Sequence, residues 1–230
     1  MENQQTYFRS GHSYLDRDED KYVRNIIEKF LEISCLKKDE EILELGCGSG
    51  RFTIPMLRRD YRLICMDTSG SLLERLRQKM PTDMDLALIQ GDITTLTNEY
   101  EDRFDCVIGF FILHHIPDLE NTLKSIFKVL KDDGKAVFLE PNPFNPLYYL
   151  QMLLYKDMSW HGEKGILNMR YKKLEKLFGT AGFKRFKTTH FGFFPPFVVN
   201  TRFGLKLEQR LEKISLFNRI LPFQIIEASK

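Results

Sequence analysis

The amino-acid sequence predicts an α/β fold in which helices cover both faces of a mostly parallel sheet. Short apolar runs of strand length recur along the chain, beginning with residues 42–45. Each run is separated from the next by a helix-sized connection, and such connections join parallel strands through right-handed crossovers. A turn with three glycines, at positions 46, 48 and 50, directly follows the first run. A glycine turn between a buried strand and a helix is typical of nucleotide-type ligand sites.

The first 140 residues contain five of the expected strands and the helices between them. Residues 19–33 have apolar side chains at helical spacing and acidic side chains at their start, which predicts an amphipathic helix. Pro55 lies early in the next helix, where its missing N–H costs little. A Lys-Asp-Asp-Gly turn is expected at 131–134. The expected strands cover residues 42–45, 62–66, 86–90, 104–110 and 135–140, and the further helices cover residues 51–60, 69–79 and 119–130.

The rest of the chain departs from this regular alternation. A proline-rich loop at 141–146 precedes an apolar helix, and about thirty residues separate the sixth expected strand from the last. Those thirty residues contain a Phe-Phe-Pro-Pro-Phe stretch at 193–197 and then a basic amphipathic helix. The expected strands cover residues 183–191 and 223–228, and the expected helices cover residues 147–155, 171–179 and 203–214.

Charge is distributed unevenly, although the whole sequence carries a formal net charge of only +2. Residues 1–140 carry a net charge of −7, and residues 141–230 carry one of +9. An acidic front half and a basic, aromatic back half indicate two surfaces with different functions. The near-neutral total, and the lack of a recognised RNA-binding module, argue against nucleic acid as the partner.

The four cysteines form no C-x-x-C pair and no His/Cys cluster with metal-ligand spacing, so no metal site is expected. Free thiols in expected strands behave as small apolar residues, which indicates a reduced, cytoplasmic protein. The first residues are too polar for a secretory signal, and no apolar run is long enough to span a membrane.

The glycine turn has the form Glu-x-Gly-x-Gly-x-Gly, from Glu44 to Gly50. It differs from the Gly-x-Gly-x-x-Gly fingerprint of dinucleotide sites, and it lacks the Lys-Ser/Thr ending of a phosphate-binding P-loop. The helix that follows presents unpaired N–H groups toward the same turn. A glycine-rich turn without a ligand is the alternative that this motif alone leaves open.

Two acidic residues follow neighbouring strands at the edge where the glycine turn lies. Asp67 comes 21 residues after Gly46, at the offset where an acid binds the ribose hydroxyls of a nucleotide. Its alternative role is to cap the helix that begins near Ser69. Asp92 follows the third strand and can accept a hydrogen bond from an adenine amino group, with Ile93 packed on the ring. Alone, the Gly-Asp pair is simply a turn.

The series ILELGCGSG, CMDTS, QGDI, FDCVIGFFILHHIPD and VLKDDGKAVFLEP resembles the motif set of the class I S-adenosylmethionine-dependent methyltransferases. It is most similar to the broad group that includes the ubiquinone- and menaquinone-biosynthesis methyltransferases. This resemblance, over residues 40–140, implies a Rossmann-like seven-stranded sheet with a reversed last strand and S-adenosyl-L-methionine as the cofactor. It also implies a cofactor site at the carboxyl ends of the first four strands, formed by Glu44, Gly46, Cys47, Gly48, Asp67, Thr68, Asp92, Ile93, Gly109 and Phe110.

Methyl transfer mainly requires that acceptor and methyl group be aligned in a dry pocket. His114 and His115 follow the fourth strand and are the candidates for a general base, with packing and loop hydrogen bonds as their alternative role. Glu140, His161 and His190 are weaker candidates, as is Asn142. An acceptor pocket is expected from the N-terminal arm and the later insertions, through His12, Tyr14, Asn142, Phe193, Phe194 and Phe197.

We therefore expect a single methyltransferase domain over residues 1–230. It would comprise an N-terminal arm and helix at 1–35, a cofactor-binding core at 40–140, and insertions at 141–170 and 192–221. These insertions, with the arm, would form a lid over the acceptor.

The expected reaction is methyl transfer to a small-molecule acceptor that is apolar, aromatic or lipid-like. The aromatic stretch at 193–197 also suits a shallow contact with a membrane surface. One alternative is a nucleic-acid or protein methyltransferase that uses the basic half. The other is a non-catalytic partner protein that binds the cofactor.

Overall fold

The computed structural model describes residues 20–80, 86–96, 98–154, 163–201, 203–212 and 215–230. Its strands are β1 (Ile42–Leu45), β2 (Leu63–Asp67), β3 (Ala87–Gln90), β4 (Phe104–Phe110), β5 (Leu130–Pro141), β6 (Arg185–Phe191) and β7 (Phe223–Ser229). They form one seven-stranded sheet in the order β3-β2-β1-β4-β5-β7-β6. The pairs from β3 to β5 are parallel, whereas β7 is antiparallel to both of its neighbours. This confirms the predicted sheet with its reversed last strand.

Helices connect the strands and cover the sheet. The described helices are α1 (Lys21–Ser34), α2 (Thr53–Leu57), α3 (Gly70–Lys79), α4 (Ile93–Leu96), α5 (Leu119–Val129), α6 (Pro146–Leu154), α7 (Tyr171–Ala181), α8 (Pro196–Val199) and α9 (Gly204–Leu211). Short 3₁₀ helices lie at Leu113–His115, Lys164–Met169 and Ser215–Ile220. No described helix combines the length and the apolar character that crossing a membrane requires.

The sheet is buried on both faces because its central strands are apolar on both. In β1, Leu43 and Leu45 belong to a core cluster that includes residues of α5 and α7. Ile42, on the opposite face of the strand, belongs to a second cluster that includes residues of α1 and α3. Near-continuous apolar runs such as β1 are what a parallel sheet between two helical layers requires.

The strand order changes direction at β1, which has β2 on one side and β4 on the other. Such a switch point opens a crevice beyond the carboxyl ends of the strands, and ligands of open α/β sheets bind there. The glycine turn after β1, Asp67 at the end of β2 and the segment after β4 all lie at this edge. The topology thus brings the predicted cofactor residues together.

Several element boundaries differ from the prediction. Helix α2 covers five residues rather than the predicted ten, because the chain enters it from a turn at Gly50 and ends it near Asp60, whose φ is +65°. The predicted turn at 131–134 lies within β5, which continues through it with a register shift between Phe104 and Cys106 of β4. Asp133, with φ of +63°, retains the turn-like backbone locally. Residues 131–134 have no partner in β4, so the predicted turn persists as a bulge between the two paired parts of β5.

Helix α1 is held against the insertion between β6 and β7 by polar contacts, three of which are here called the α1–α9 clasp. The Asn25 side-chain amide donates to Glu208 Oε1 at 3.0 Å, and Lys29 pairs with Glu212 at 3.7 Å. At the start of α1, the Tyr22 amide donates to the Asn200 side-chain oxygen at 2.9 Å. The clasp joins segments that are more than 170 residues apart in the chain.

Candidate functional site

The glycine turn lies between β1 and α2 at the carboxyl edge of the sheet. The Gly46 amide donates to the Met66 carbonyl at 2.8 Å, which holds the turn against the end of β2. Gly46 and Gly48 have φ angles of +67° and +55°, in the left-handed region that favours glycine. A Cβ added at Gly48 would meet no atom within 4 Å. The backbone of the turn is therefore open to a ligand.

Asp67 ties the glycine turn to the start of α3. Its two carboxylate oxygens accept hydrogen bonds from the Gly48 amide at 2.9 Å and from the Ser69 amide at 2.8 Å. Burial raises the pKa of Asp67, while the two amide hydrogen bonds act in the opposite direction. The structure places Asp67 beside the turn and also gives it a contact at the helix start, and its binding of a ribose stays a prediction.

Glu44 is buried in β1, two residues before the turn. Burial raises its pKa to about 7, and the nearby Asp67 carboxylate acts in the same direction. The Cys65 thiol of β2 donates a long hydrogen bond to Glu44 Oε2 at 3.5 Å. Cys47, in the turn, is a buried free thiol. Glu44 is therefore a buried carboxyl group that titrates near neutral pH.

The ends of β2 and β3 carry the remaining predicted cofactor residues on this side. Asp92 is exposed and accepts hydrogen bonds from the Thr94 amide at 2.8 Å and the Thr94 hydroxyl at 2.7 Å, so it caps α4. Ile93 is buried, and Thr68 is exposed between β2 and α3. These residues lie at the predicted edge, and their contacts with adenine or ribose stay predictions.

The end of β4 is tightly packed and locally strained. A Cβ at Gly109 would lie 2.7 Å from Ile112 and 2.9 Å from Phe138, so a side chain there would require rearrangement. Phe111, just after the strand, has φ of +56°, while its amide donates to the Leu139 carbonyl at 2.7 Å. Bulky residues adopt this backbone conformation rarely, and such strain clusters at functional sites.

Aromatic rings pack together where β4, β6 and β7 end, and we call them the aromatic cluster. Phe110 stacks on Phe52 with ring centroids 4.5 Å apart and also contacts Phe30 at 4.7 Å. Phe111 and Phe223 meet edge to face at 5.6 Å. The cluster extends through further ring contacts of Phe223 and consists of Tyr22, Phe30, Phe52, Phe110, Phe111, Phe191 and Phe223.

His114, in the 3₁₀ helix after β4, is buried between two carboxylates. Its Nδ1 is 2.5 Å from Glu140 Oε2, and its Nε2 is 3.3 Å from Glu163 Oε2. The other Glu140 oxygen accepts hydrogen bonds from the amides of Ile112 and Leu113. Burial lowers the pKa of His114, but the two carboxylates outweigh it and raise the pKa to about 9. Because both ring nitrogens face carboxylates, neither is free to accept a proton from an acceptor.

Glu163 and Tyr148 belong to the same buried network, and the sequence reasoning did not identify either. The Tyr148 hydroxyl donates to Glu163 Oε2 at 2.5 Å. A Cβ at Gly165 would lie 1.7 Å from the His114 carbonyl oxygen, so the segment after Glu163 packs closely on His114. His115 is partly exposed, with its ring 3.9 Å from that of His114. Among the described residues, His114, His115 and Glu163 form a group whose ligand atoms lie within 4.8 Å of one another.

The predicted acceptor residues have different environments. The Asn142 side-chain amide is buried and donates to the carbonyls of Arg219 at 3.0 Å and Leu221 at 2.7 Å, which fixes the loop before β7. Phe193 and Phe194 are half-buried and meet edge to face at 5.0 Å. Phe197 is 75% exposed. The remaining candidates in the arm and the first insertion lie outside the described residues: His12, Tyr14 and His161.

A family model described as a methyltransferase domain matches residues 15–197, which is more than half of the chain. The chain belongs to this methyltransferase family. The match includes the glycine turn, Asp67, Asp92 and the segment after β4, which together form the carboxyl edge of the sheet.

Known members of the family resemble this methyltransferase over different lengths. It is 33% identical over 131 residues to a demethylmenaquinone methyltransferase of Lactobacillus johnsonii, covering 54% of this chain but only 53% of the relative. It is 29% identical over 176 residues to a demethylmenaquinone methyltransferase of Staphylococcus saprophyticus, covering 68% and 75% of the two chains. The crystal structure of a SAM-dependent methyltransferase from Archaeoglobus fulgidus has a TM-score of 0.64 at 16% identity, covering 90% of this chain and 94% of the other. That structural likeness shows a shared fold.

The cofactor of this methyltransferase is S-adenosylmethionine, and the residues at the carboxyl edge fit it. The backbone at Gly48 is open where a Cβ would otherwise stand, so a ligand can approach the main chain. A half-buried carboxylate, Asp67, lies beside that opening, and Ile93 is an apolar residue at the next strand end. The residues that would hold the cofactor are therefore those at the ends of β1 to β4.

Proposed function

We propose that this methyltransferase transfers the methyl group of S-adenosylmethionine to a small, apolar, aromatic acceptor of the quinone or quinol class. The aromatic cluster is the observation that carries this proposal. It lies where β4 ends, next to the edge assigned to the cofactor, and its half-buried members, Tyr22, Phe111 and Phe223, offer aromatic surface rather than charged groups. A planar aromatic acceptor stacks favourably on such a surface.

The relatives support the same class of acceptor. Both of the relatives described above are named for methylation of demethylmenaquinone. This chain covers only about half of the first relative's length. We therefore propose, from the relatives, the class of acceptor for this protein. The negative and positive halves of the chain do not require a nucleic-acid acceptor, since Lys and Arg in the back half also suit an anionic lipid surface.

The cofactor supplies an electrophilic methyl group on a sulfonium, and the protein's part is to align the acceptor and exclude water. Asp67 and the glycine turn would fix the cofactor, and the strained Phe111 backbone would position the aromatic cluster beside it. Both ring nitrogens of His114 are engaged by carboxylates, so we assign it a positioning role. His115 is the partly exposed member of the pair.

The insertion between β6 and β7, with α1, would cover the acceptor. The α1–α9 clasp holds these segments together, and Phe193 and Phe194 lie half-buried between β6 and α8. Exposed rings continue this surface outward, with Phe197 at 75% and Phe203 at 83% exposure. Exposed aromatic side chains on a basic segment suit contact with a bilayer from which a lipophilic acceptor could enter. The N-terminal arm, with His12 and Tyr14, would complete the lid.

A substrate panel tests the proposal. The purified protein is incubated with S-adenosylmethionine and one acceptor at a time: a reduced demethylnaphthoquinone with a short prenyl tail, an unmodified RNA, or a histone-type basic protein. Formation of S-adenosylhomocysteine and of methylated product is followed by mass spectrometry. We expect turnover with the quinol and none with the macromolecules. Turnover with RNA or protein but not with the quinol would overturn the proposal.

A further inference from the structure

Two histidines of the segment after β4 and a glutamate of the first insertion form a cluster of residues that are not among those assigned to the cofactor. One ligand atom from each of His114, His115 and Glu163 lies within 4.8 Å of the other two. His114 and Glu163 are buried, and His115 is partly exposed. Two imidazoles and one carboxylate are a ligand set that zinc adopts at sites where three protein ligands leave a fourth position open.

The spacing of the two buried ligand atoms fits one shared ion. His114 Nε2 and Glu163 Oε2 are 3.3 Å apart, which is longer than the usual N–H···O distance of about 2.9 Å. Two ligands at about 2.0–2.1 Å from a tetrahedral zinc ion lie roughly 3.3 Å from each other. The side chains therefore need little movement to bind an ion between them, and the ion would displace a proton from His114.

Both buried ligands are oriented by outer groups. Glu140 Oε2 lies 2.5 Å from Nδ1 of His114, which leaves Nε2 to face Glu163. This carboxylate–histidine arrangement is the one that metal-binding histidines usually show on the side away from the metal. The Tyr148 hydroxyl donates to Glu163 at 2.5 Å and fixes that carboxylate in turn.

The charges of the cluster also favour a cation. The carboxylates of Glu140 and Glu163, both buried, contact the single imidazole of His114. Buried charges are stable when they are paired or coordinate a metal. We propose that His114, His115 and Glu163 bind a divalent transition-metal ion, zinc by preference, with Glu140 and Tyr148 as outer groups. Ferrous iron is the second ion that suits two histidines and a carboxylate.

Calorimetric titration of the tag-free, chelator-treated full chain with zinc chloride tests the site, with ferrous sulfate under anaerobic conditions as a second titration. We expect one ion per chain. Glu163→Gln and His115→Asn should each weaken the affinity at least tenfold, because each removes a ligand. The matched control is His190→Asn, on β6, which should bind the ion like the wild-type chain. Binding of S-adenosylhomocysteine by every variant shows that it is folded.

Variants of the outer groups separate metal binding from a purely structural network. Glu140→Gln should weaken ion binding about 10–100-fold, as loss of an outer carboxylate does at other metal sites. Tyr148→Phe keeps the aromatic ring and should weaken ion binding severalfold. If Glu163→Gln or Glu140→Gln fails to fold, the ion affinity of Tyr148→Phe tests the proposal in its place. No uptake of zinc or iron by the wild-type chain would overturn the proposal. Equal uptake by wild type, Glu163→Gln and His115→Asn would overturn it as well, because the ion would then bind elsewhere.

Discussion

At the residue scale, Asp67 links three parts of the cofactor edge: the end of β2, the glycine turn and the start of α3. Its carboxylate is half-buried, so its hydrogen bonds form in a partly desolvated environment where they are stronger than in water. A ligand with two hydroxyl groups beside Gly48 would donate hydrogen bonds to the same carboxylate.

Replacing Asp67 with Ala should weaken the binding of S-adenosylhomocysteine by about 1.5–3 kcal/mol, the usual contribution of hydrogen bonds to a charged group. Calorimetry measures the change. Asp132→Ala, an exposed acid in β5, is the matched control and should leave the affinity unchanged. If Asp67→Ala also binds S-adenosylhomocysteine like the wild type, the carboxylate only stabilises the glycine turn and the start of α3.

Glu44 should make the stability of the protein depend on pH. Its pKa is raised to about 7 in the folded protein from 4.5, so between these values the folded chain holds a proton that the unfolded chain has released. The free energy of unfolding should therefore fall as the pH rises from about 4.5 to 7, by up to about 3 kcal/mol, and change no further above that.

Urea unfolding at a series of pH values, for the wild type and for Glu44→Gln, measures this effect. The difference between the two free energies should change across that pH range, because the amide does not titrate. Glu120→Gln, on the exposed face of α5, should give a curve parallel to that of the wild type. Parallel curves for Glu44→Gln would show that Glu44 does not titrate near neutral pH.

The residues at the carboxyl edge could be identified from the sequence because each directly follows a strand. Parallel strands bring their carboxyl ends to one edge, so Gly48 and Asp67 come together without any knowledge of side-chain packing. Glu163 gave no such signal, because it lies 49 residues beyond His114 in an irregular insertion. It is brought to His114 by the close approach of Gly165, a tertiary contact that no local pattern encodes.

At the scale of elements, the α1–α9 clasp connects the first described helix with the insertion before β7. Glu208 is its buried centre: burial raises its pKa to about 7, and it accepts hydrogen bonds from Asn25 at 3.0 Å and from the Phe194 amide at 2.9 Å. The Gly192 amide donates to Glu212 at 2.7 Å, one turn further along. The clasp therefore holds both ends of the Phe193–Phe194 segment.

Asn25→Ala should loosen this insertion, because it leaves a buried carboxyl group with one hydrogen bond fewer. We expect the local opening free energy of α9 to fall by about 1–3 kcal/mol, seen as faster amide hydrogen exchange at 204–211. Glu28→Ala, on the exposed face of α1, is the control and should leave exchange unchanged. Faster exchange spread equally over the central strands would indicate global destabilisation and contradict the clasp.

Element types were predictable where burial follows a simple pattern, and boundaries were not. The apolar run of β1 and the helical spacing of α1 each gave the right element, since the packing of both agrees with local preference. Helix α2 was predicted wrongly in extent, because left-handed residues at Gly50 and Asp60 decide where its backbone begins and ends. Strand β5 begins at Leu130 rather than at 135, with residues 131–134 bulged out between its two paired parts. The short helices α4 and α8 and the 3₁₀ helices carry too few residues for a periodic signal.

At the scale of the whole molecule, the acidic front half carries the predicted cofactor edge, and the basic back half carries the exposed rings. The parallel order of β1 to β5 follows from the alternation of strands and helices. The reversed β7 does not follow from that alternation and was expected only from resemblance to the family. The composition of a strand does not reveal its direction in the sheet.

The exposed rings predict binding to lipid. Replacing Phe197 and Phe203 together with Ser should reduce co-sedimentation with anionic phospholipid vesicles at least tenfold, since a buried Phe contributes about 1.5–3 kcal/mol. Leu167→Ser, which removes another exposed apolar side chain, is the control. Affinity for S-adenosylhomocysteine should stay the same in both proteins. Undiminished vesicle binding by the double variant would contradict a lipid contact through these two rings.

The central claim is that this protein transfers a methyl group from S-adenosylmethionine to an apolar aromatic acceptor. The most direct measurement supplies S-adenosylmethionine with a deuterated methyl group and a reduced demethylnaphthoquinone, and then analyses the acceptor by mass spectrometry. We predict that the intact deuterated methyl group appears on the quinol with the wild-type protein, and at a much lower level with Asp67→Ala at the same subsaturating cofactor concentration. An unlabelled quinol, from a protein that binds S-adenosylhomocysteine normally, would contradict the claim.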